Sequence, residues 1–131
     1  MRIPQELVDE MIAHAREDSP NECCGMLGGD DSRATTLYRA ANAEASPLRY
    51  SIDAAEQFRL MREIEEAGEE LIGIYHSHTR SAAYPSQTDV NLAGWPDAVY
   101  VIVSLEDPDS PDVRGFWIRD GEISDAELDA G

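Results

Sequence analysis

The stretch Leu71-Ile72-Gly73-Ile74-Tyr75-His76-Ser77-His78 decides how the chain is read. A short apolar run of this length reads as a buried strand rather than a helix. It runs directly into two imidazoles. Residues two apart on a strand point to the same side. His76 and His78 therefore project together from the strand end, on the face that Ile72 and Ile74 share. Upstream, the spacing predicts a helix over 54–67, with Phe58, Met61 and Ile64 on one face, Ser51 or Asp53 as its cap and Gly68 as its stop. Downstream, a polar loop over 79–85 leads to a short helix that starts at Ser86 and ends near Gly94.

The outer segments complete the pattern. Leu7, Val8, Met11, Ile12 and Ala15 make an amphipathic helix of residues 4–16, with Pro4 in its first turn, and Ser19-Pro20-Asn21 breaks it. Strands over 24–27 and 34–41 read as a hairpin turned by Gly28-Gly29-Asp30-Asp31. Residues 42–49 read as loop. Residues 98–104 are the strongest strand in the chain, 113–118 are another, and Asp120-Gly121 turns into a short last strand. The order α-β-β-α-β-α-β-β-β predicts an α/β fold of the α+β type, a mixed sheet flanked by helices. At 131 residues the chain suits one domain, 1–131, with 124–131 as a frayed acidic tail.

Composition limits the function. The chain has 27 acidic residues against 10 basic ones, a formal charge of −17, and every basic residue is Arg. Such a chain repels nucleic acid and anionic membranes at long range, so neither is an expected partner. No apolar run approaches the ~18 residues of a membrane span, and no signal segment opens the sequence. A cytoplasmic protein is expected. Cys23 and Cys24 are adjacent and are the only cysteines, so they cannot staple distant segments and read as small core residues. His14 has Glu10 and Asp18 at i±4 and reads as a structural or solvated helix residue.

The chemistry gathers around the histidine pair. Asp89 follows His78 by eleven residues, at the start of the third predicted helix. A loop of that size can return its carboxylate to the strand end. Two His and one carboxylate suit an open zinc site with the fourth position left for water. Hydrolysis there needs a general base, for which Glu22, just before the first strand, is the candidate. It also needs a donor for the developing oxyanion, and Ser86 carries a hydroxyl. Each part has a plainer reading. His-x-His occurs on ordinary strand ends, Ser-x-x-acid is a helix capping box, and Glu22 is one of many acids. The His-x-Glu and Pro-Cys-x-x-Cys pattern of zinc nucleobase deaminases is absent from the sequence.

Taken together, these residues resemble the JAMM (MPN+) metalloproteases. That pattern is a Glu, then His-x-His, seven residues, and Ser-x-x-Asp. Here it is Glu22, His76-Ser77-His78, residues 79–85, and Ser86-Gln87-Thr88-Asp89. The resemblance implies a cytidine-deaminase-like JAMM/MPN fold, one Zn²⁺ held by His76, His78 and Asp89, Glu22 as general acid/base and Ser86 as oxyanion stabiliser. It also implies hydrolysis of an amide at the C-terminus of a ubiquitin-like carrier protein, often after Gly-Gly. The stretches around Tyr75-His76-Ser77-His78-Thr79 and Pro96-Asp97-Ala98 look like the small bacterial branch of the family. That branch implies release of cysteine from a sulfur-carrier adduct in cysteine biosynthesis. Thr79 stands where many relatives have Pro, and the chain is too short for the insertions that grip a ubiquitin chain. Both features argue against polyubiquitin-type substrates and favour a small adduct; deconjugation or processing of another ubiquitin-like modifier stays open as the alternative. A non-catalytic scaffold of the same fold would lack these ligands. A backbone edge at 81–84 is expected to guide the substrate tail.

Overall fold

The histidine-bearing stretch forms a strand, β3 (Glu70–His78), in a computed structural model that describes residues 1–130. Five more strands join it: β1 (Cys24–Asp30), β2 (Arg33–Ala40), β4 (Val99–Ser104), β5 (Asp112–Arg119) and β6 (Glu122–Ala126). They make one sheet in the order β2-β1-β3-β4-β5-β6. Neighbours pair antiparallel except β3 and β4, which run parallel. A parallel pair cannot be closed by a hairpin and needs a crossover. Residues 79–98 supply it, beginning where His78 ends. Three helices flank the sheet: α1 (Gln5–Asp18), α2 (Ala54–Glu66) and α3 (Gln87–Leu92). The α+β reading with a mixed sheet agrees with this architecture.

The central strands are covered on both faces, which explains their continuous apolar sequence. On the α1 side Cys23, Leu27, Tyr75, Val99, Val101 and Val103 pack with Met11 and Ala15. On the other side Cys24 and Met26 pack with Leu60 and Ile64 of α2. Ile74 and Tyr100 pack there with Ile118, and Ile102 with Phe116. The strand period of two thus sends Tyr75 into one core and Ile74 and His76 toward the other. Gly25 is the residue that lets Tyr75 lie flat, because a Cβ there would occupy the space of its ring.

Several expectations are corrected. Ile72 does not share a face with Ile74. The β1–β3 register jumps between Leu27–Gly73 and Gly28–Leu71, so Ile72 is the extra residue of a bulge. It turns into the α1-side core, while Leu71 packs on the α2 side. The hairpin turn lies at Asp31-Ser32, both left-handed (φ 49° and 69°), not at the glycines. Gly28 and Gly29 stay in β1, where a Cβ on Gly29 would strike the Arg33 carbonyl. In α2, Leu60 rather than Phe58 faces the core, and Phe58 is 66% exposed. At 100° per residue Leu60 and Ile64 share a face that Phe58 does not. Asp53 is the cap, accepting from Ala55 N at 3.1 Å.

The 124–131 stretch is not a frayed tail over its described length. Residues 124–126 belong to β6, Leu128 packs on the core, and Asp129 exchanges backbone bonds with Met1 and Ile3 (3.0 and 2.7 Å). Its two faces are both used: Ile123 packs with Ile102 and Phe116, and Ala126 joins the α1-side core. Gly131 lies outside the described residues. Of the two readings of His14, structural or solvated, the structural one holds, for the side chain is buried. Its Nδ1 meets the Tyr75 hydroxyl at 2.7 Å and its Nε2 lies 3.3 Å from Asp18. Burial lowers its pKa, against the pull of Asp18. Cys23 and Cys24 are core residues as expected, with thiols pushed up to about 12 by burial and therefore inert. Among the described residues no helix is long and apolar enough to cross a membrane.

The Gly25–Tyr75 contact is open to test. The ring is fully buried and its hydroxyl is bound to His14, so it has nowhere to move. Gly25→Ala is expected to cost about 1–3 kcal/mol by overpacking. Urea unfolding would read this as a lower midpoint with an unchanged slope.

Candidate active site

The C-terminal end of β3 delivers His76 and His78 to the α2/α3 side, where α3 brings Asp89 to meet them. Their Nε2 atoms are 3.2 Å apart, and Asp89 Oδ2 lies 3.1 Å from His76 Nε2 and 2.9 Å from His78 Nε2. All three side chains are buried. They form a group of ligand atoms able to hold one metal ion.

Each member is oriented by its own surroundings. The imidazole of His78 donates from Nδ1 to the Ala82 carbonyl at 2.8 Å. In the neutral ring this leaves the Nε2 lone pair directed at its two neighbours. Asp89 is the N3 residue of a capping box. Its amide donates to Ser86 Oγ at 3.1 Å, and its Oδ2 accepts from Ser86 N at 2.9 Å. The capping reading and the ligand reading thus use the same carboxylate. Tyr50 lies over His76, with ring centroids 4.5 Å apart and planes inclined by 22°. His76 Nδ1 has no hydrogen-bond partner among the described residues.

With both Nε2 atoms unprotonated, two nitrogen lone pairs and one anionic oxygen converge on one point, where a cation would satisfy all three; in its absence ring N–H groups bond to Asp89 instead. Ligand atoms held about 2.0–2.1 Å from a tetrahedral zinc stand about 3.3 Å from one another, close to the spacing here. The donor set and its geometry fit a zinc ion with one face of its tetrahedron supplied by the protein. The electrostatics agree. Burial opposes the Asp89 anion, but bonds to His76, His78 and Ser86 N hold its carboxyl well below the usual range. Burial lowers His76, with Asp89 opposing. Burial also pulls on His78, but Asp89 and the Ala82 carbonyl outweigh it and leave the ring raised.

Glu22 sits beside the cluster at the entry to β1, 3% exposed, with Oε1 unpartnered. Burial is the main force that raises its carboxyl to about 8. His78 opposes the rise and Asp89 adds to it. Ser86 is exposed at the head of α3. Its Oγ accepts one bond from Asp89 N, which leaves its own proton free to be donated. All five residues named from sequence therefore lie on the elements that converge here. Two neighbours were missed: Asn42, at the start of what reads only as loop, and Tyr50, just past its end. At the expected edge, 81–84, two carbonyls are already engaged: Ser104 Oγ donates to that of Ser81, and His78 Nδ1 and Tyr84 N to that of Ala82. Next to the cluster along β3, a pocket of ≈ 190 Å³ is lined by Met26, Tyr50, Ile74, Leu92, Trp95 and Tyr100, among others.

A mixed sheet whose central strand ends in His-Ser-His, facing a capped carboxylate and a buried Glu, defines a hydrolase of the JAMM type. Residues 4–119 match the prokaryotic homologs of the JAB domain, and the chain belongs to that family. It is 46% identical over 125 residues to the CysO-cysteine peptidase of Mycobacterium tuberculosis, covering 94% of this chain and 86% of that protein. It is 40% identical over 119 residues to a desampylase of Haloferax volcanii, covering 86% and 84%. The solution structure of a Desulfitobacterium hafniense protein superposes with a TM-score of 0.89 at 34% identity, covering 97% of this chain and 90% of that one.

Two outcomes are expected from this geometry. His76→Ala and Asp89→Ala lose tight zinc binding, read as metal content after dialysis; full content in either removes that residue from the ligand set. The second concerns pH. Glu22 keeps its proton in the folded protein up to about 8, whereas its ordinary value is 4.5. Between these values the folded state binds more protons than the unfolded one, so stability falls as pH rises. Chelator-treated protein is expected to lose a few kcal/mol from pH 5 to pH 8 at most. Glu22→Gln is expected to flatten that slope in pH-dependent urea unfolding.

Proposed function

We propose that this protein is a zinc-dependent peptidase that hydrolyses the amide at the C-terminus of a ubiquitin-like carrier ending in Gly-Gly. Its substrate is a carrier–cysteine adduct, and the product is free cysteine in a cytoplasmic biosynthetic step. The observation that carries the reading is the convergence of His76, His78 and Asp89 within 3.2 Å of one another, beside a buried Glu22. The likeness to a CysO-cysteine peptidase over 94% of the chain supports the choice of substrate.

When bound, zinc supplies Lewis acidity, which acidifies water and polarises a carbonyl. His76, His78 and Asp89 hold it. Glu22 takes a proton from the attacking water and passes it to the leaving amine. Burial raises this carboxyl in the metal-free protein and a bound cation would pull it back down, toward the operating pH that both halves of the transfer require. Ser86 donates its free hydroxyl proton to the carbonyl oxygen as charge develops there. A diglycine tail suits the narrow approach because it has no side chains to exclude. The pocket beside Ile74 lies one strand repeat from His76, roughly 6.6 Å away. It offers a place for an apolar side chain just upstream of the diglycine.

The desampylase relative supports a second reading, removal of a ubiquitin-like modifier from protein lysines. Intact-mass analysis separates the two. Zinc-loaded protein is given a carrier ending Gly-Gly-Cys and the same carrier joined to a protein lysine. Loss of one cysteine from the first alone supports the biosynthetic reading, and cleavage of the second alone supports deconjugation. Glu22→Gln is expected to keep its zinc and lose about 10²–10⁴-fold in turnover. Wild-type turnover in that variant removes the role given to Glu22.

A further inference from the structure

The loop over 42–51 is organised around one side chain. Asn42 Oδ1 accepts from Glu44 N and Ser51 N, at 3.0 and 3.1 Å. Its Nδ2 donates to the carbonyls of Arg49 and Glu22, at 3.0 and 3.1 Å. The amide can face only one way, since flipping it would set its oxygen against two carbonyls and its NH₂ against two N–H groups. The two bonds to Arg49 and Ser51 bracket Tyr50 on both sides, and Tyr50 is the ring that covers His76. The bond to the Glu22 carbonyl reaches the segment ahead of β1. The Glu22 N–H is held from the same loop, by the Ser46 carbonyl at 2.9 Å. Ser77, between the two histidines, accepts from Cys23 N at 2.8 Å and so holds the next residue from the β3 side.

We infer that Asn42 is a positioning residue that fixes the proton-transferring Glu22 and the His76-covering Tyr50 relative to each other through one amide. The inference rests on the reading of Glu22 as the general acid/base. Glu22 lies outside β1 proper, so no sheet ladder holds its backbone carbonyl. Asn42 does so, and its four bonds leave it no freedom to drift. A misplacement of ~1 Å at a reacting group costs about 10²-fold in rate. The zinc-binding side chains are carried by β3 and α3, and this loop meets them through the Tyr50 ring stacked on His76.

Asn42→Asp is the informative variant. It is nearly isosteric and keeps both accepting bonds within the loop, but it loses both donations. It is expected to keep full zinc content and a cooperative melt, while turnover on the carrier–cysteine adduct falls about tenfold to a hundredfold with KM little changed. A double-mutant cycle supplies the decisive readout. In a Glu22→Gln background, single-turnover rates are expected to show little further loss on adding Asn42→Asp. Independently of activity, both Asn42 side-chain amide protons in the wild type are expected to exchange slowly with solvent by NMR. Wild-type turnover in Asn42→Asp, full additivity in the cycle, or fast exchange of both amide protons each overturn the proposal. Undiminished turnover in Glu22→Gln alone would remove the Glu22 reading itself, and with it this role. Additivity alone would remove only the role of Asn42.

Discussion

Everything near the histidine pair is arranged against one repulsion. His76 Nε2, His78 Nε2 and Asp89 Oδ2 are electron-rich atoms held within 3.2 Å of one another on buried side chains. Left flexible, three such groups would swing apart. β3 prevents this for the imidazoles, since both are fixed by the pleat of a strand paired on both edges. The Ala82 carbonyl locks one ring tautomer, and the capping box of α3 locks the carboxylate. Packing and hydrogen bonds thus hold a group of three ligand atoms placed so that one metal ion would fit among them. This accounts for the low exposure of all three residues, an environment that unpaired polar groups avoid.

The same strand serves two opposed environments. Tyr75 and Ser77 point away from the cluster, one into the α1-side core and the other onto Cys23 N. Tyr75 is anchored by His14, which α1 carries, so the helix farthest from the chemistry braces the strand that supports it. Gly25 opposite Tyr75 and the bulge at Ile72 belong to that bracing. The −17 charge has a quieter role: Arg39, Arg49, Arg59, Arg62 and Arg114, half of the ten arginines, lie in surface ion pairs. Exposed pairs of this kind contribute little each.

The cluster was legible because its signal is short-range and chemical: two imidazoles two apart, then a capped acid at a fixed distance. Strand periodicity alone places His76 and His78 on one side. It fails at Ile72 because a bulge leaves no mark in the order of apolar residues. The glycines at 28 and 29 mislead in the same way. A turn and a close backbone approach both call for glycine, and only the partner strand shows which is meant. Phe58 was assigned to the core because hydrophobicity was read where helix phase decides. Asn42 and Tyr50 were missed because loop residues acquire their roles through partners distant in sequence. Asn42 meets Glu22 across twenty residues, and Tyr50 meets His76 across twenty-six.

The crossover from β3 to β4 carries a consequence for how such a domain can diversify. Between His78 and Asp89 the chain has no slack. Ala82 is bonded to one ligand, Ser81 to Ser104, and Ser86 to the other ligand. An inserted residue there would dislodge the carboxylate, so this span is metrically closed. By contrast, between β4 and β5 only Leu105 is tied to the site among the described residues, its N–H donating to the His78 carbonyl at 2.9 Å, and the exposed residues 106–110 beyond it can grow outward. New recognition surfaces would therefore be grafted at such margins, while the interval between the histidines and the aspartate keeps its length as a ruler.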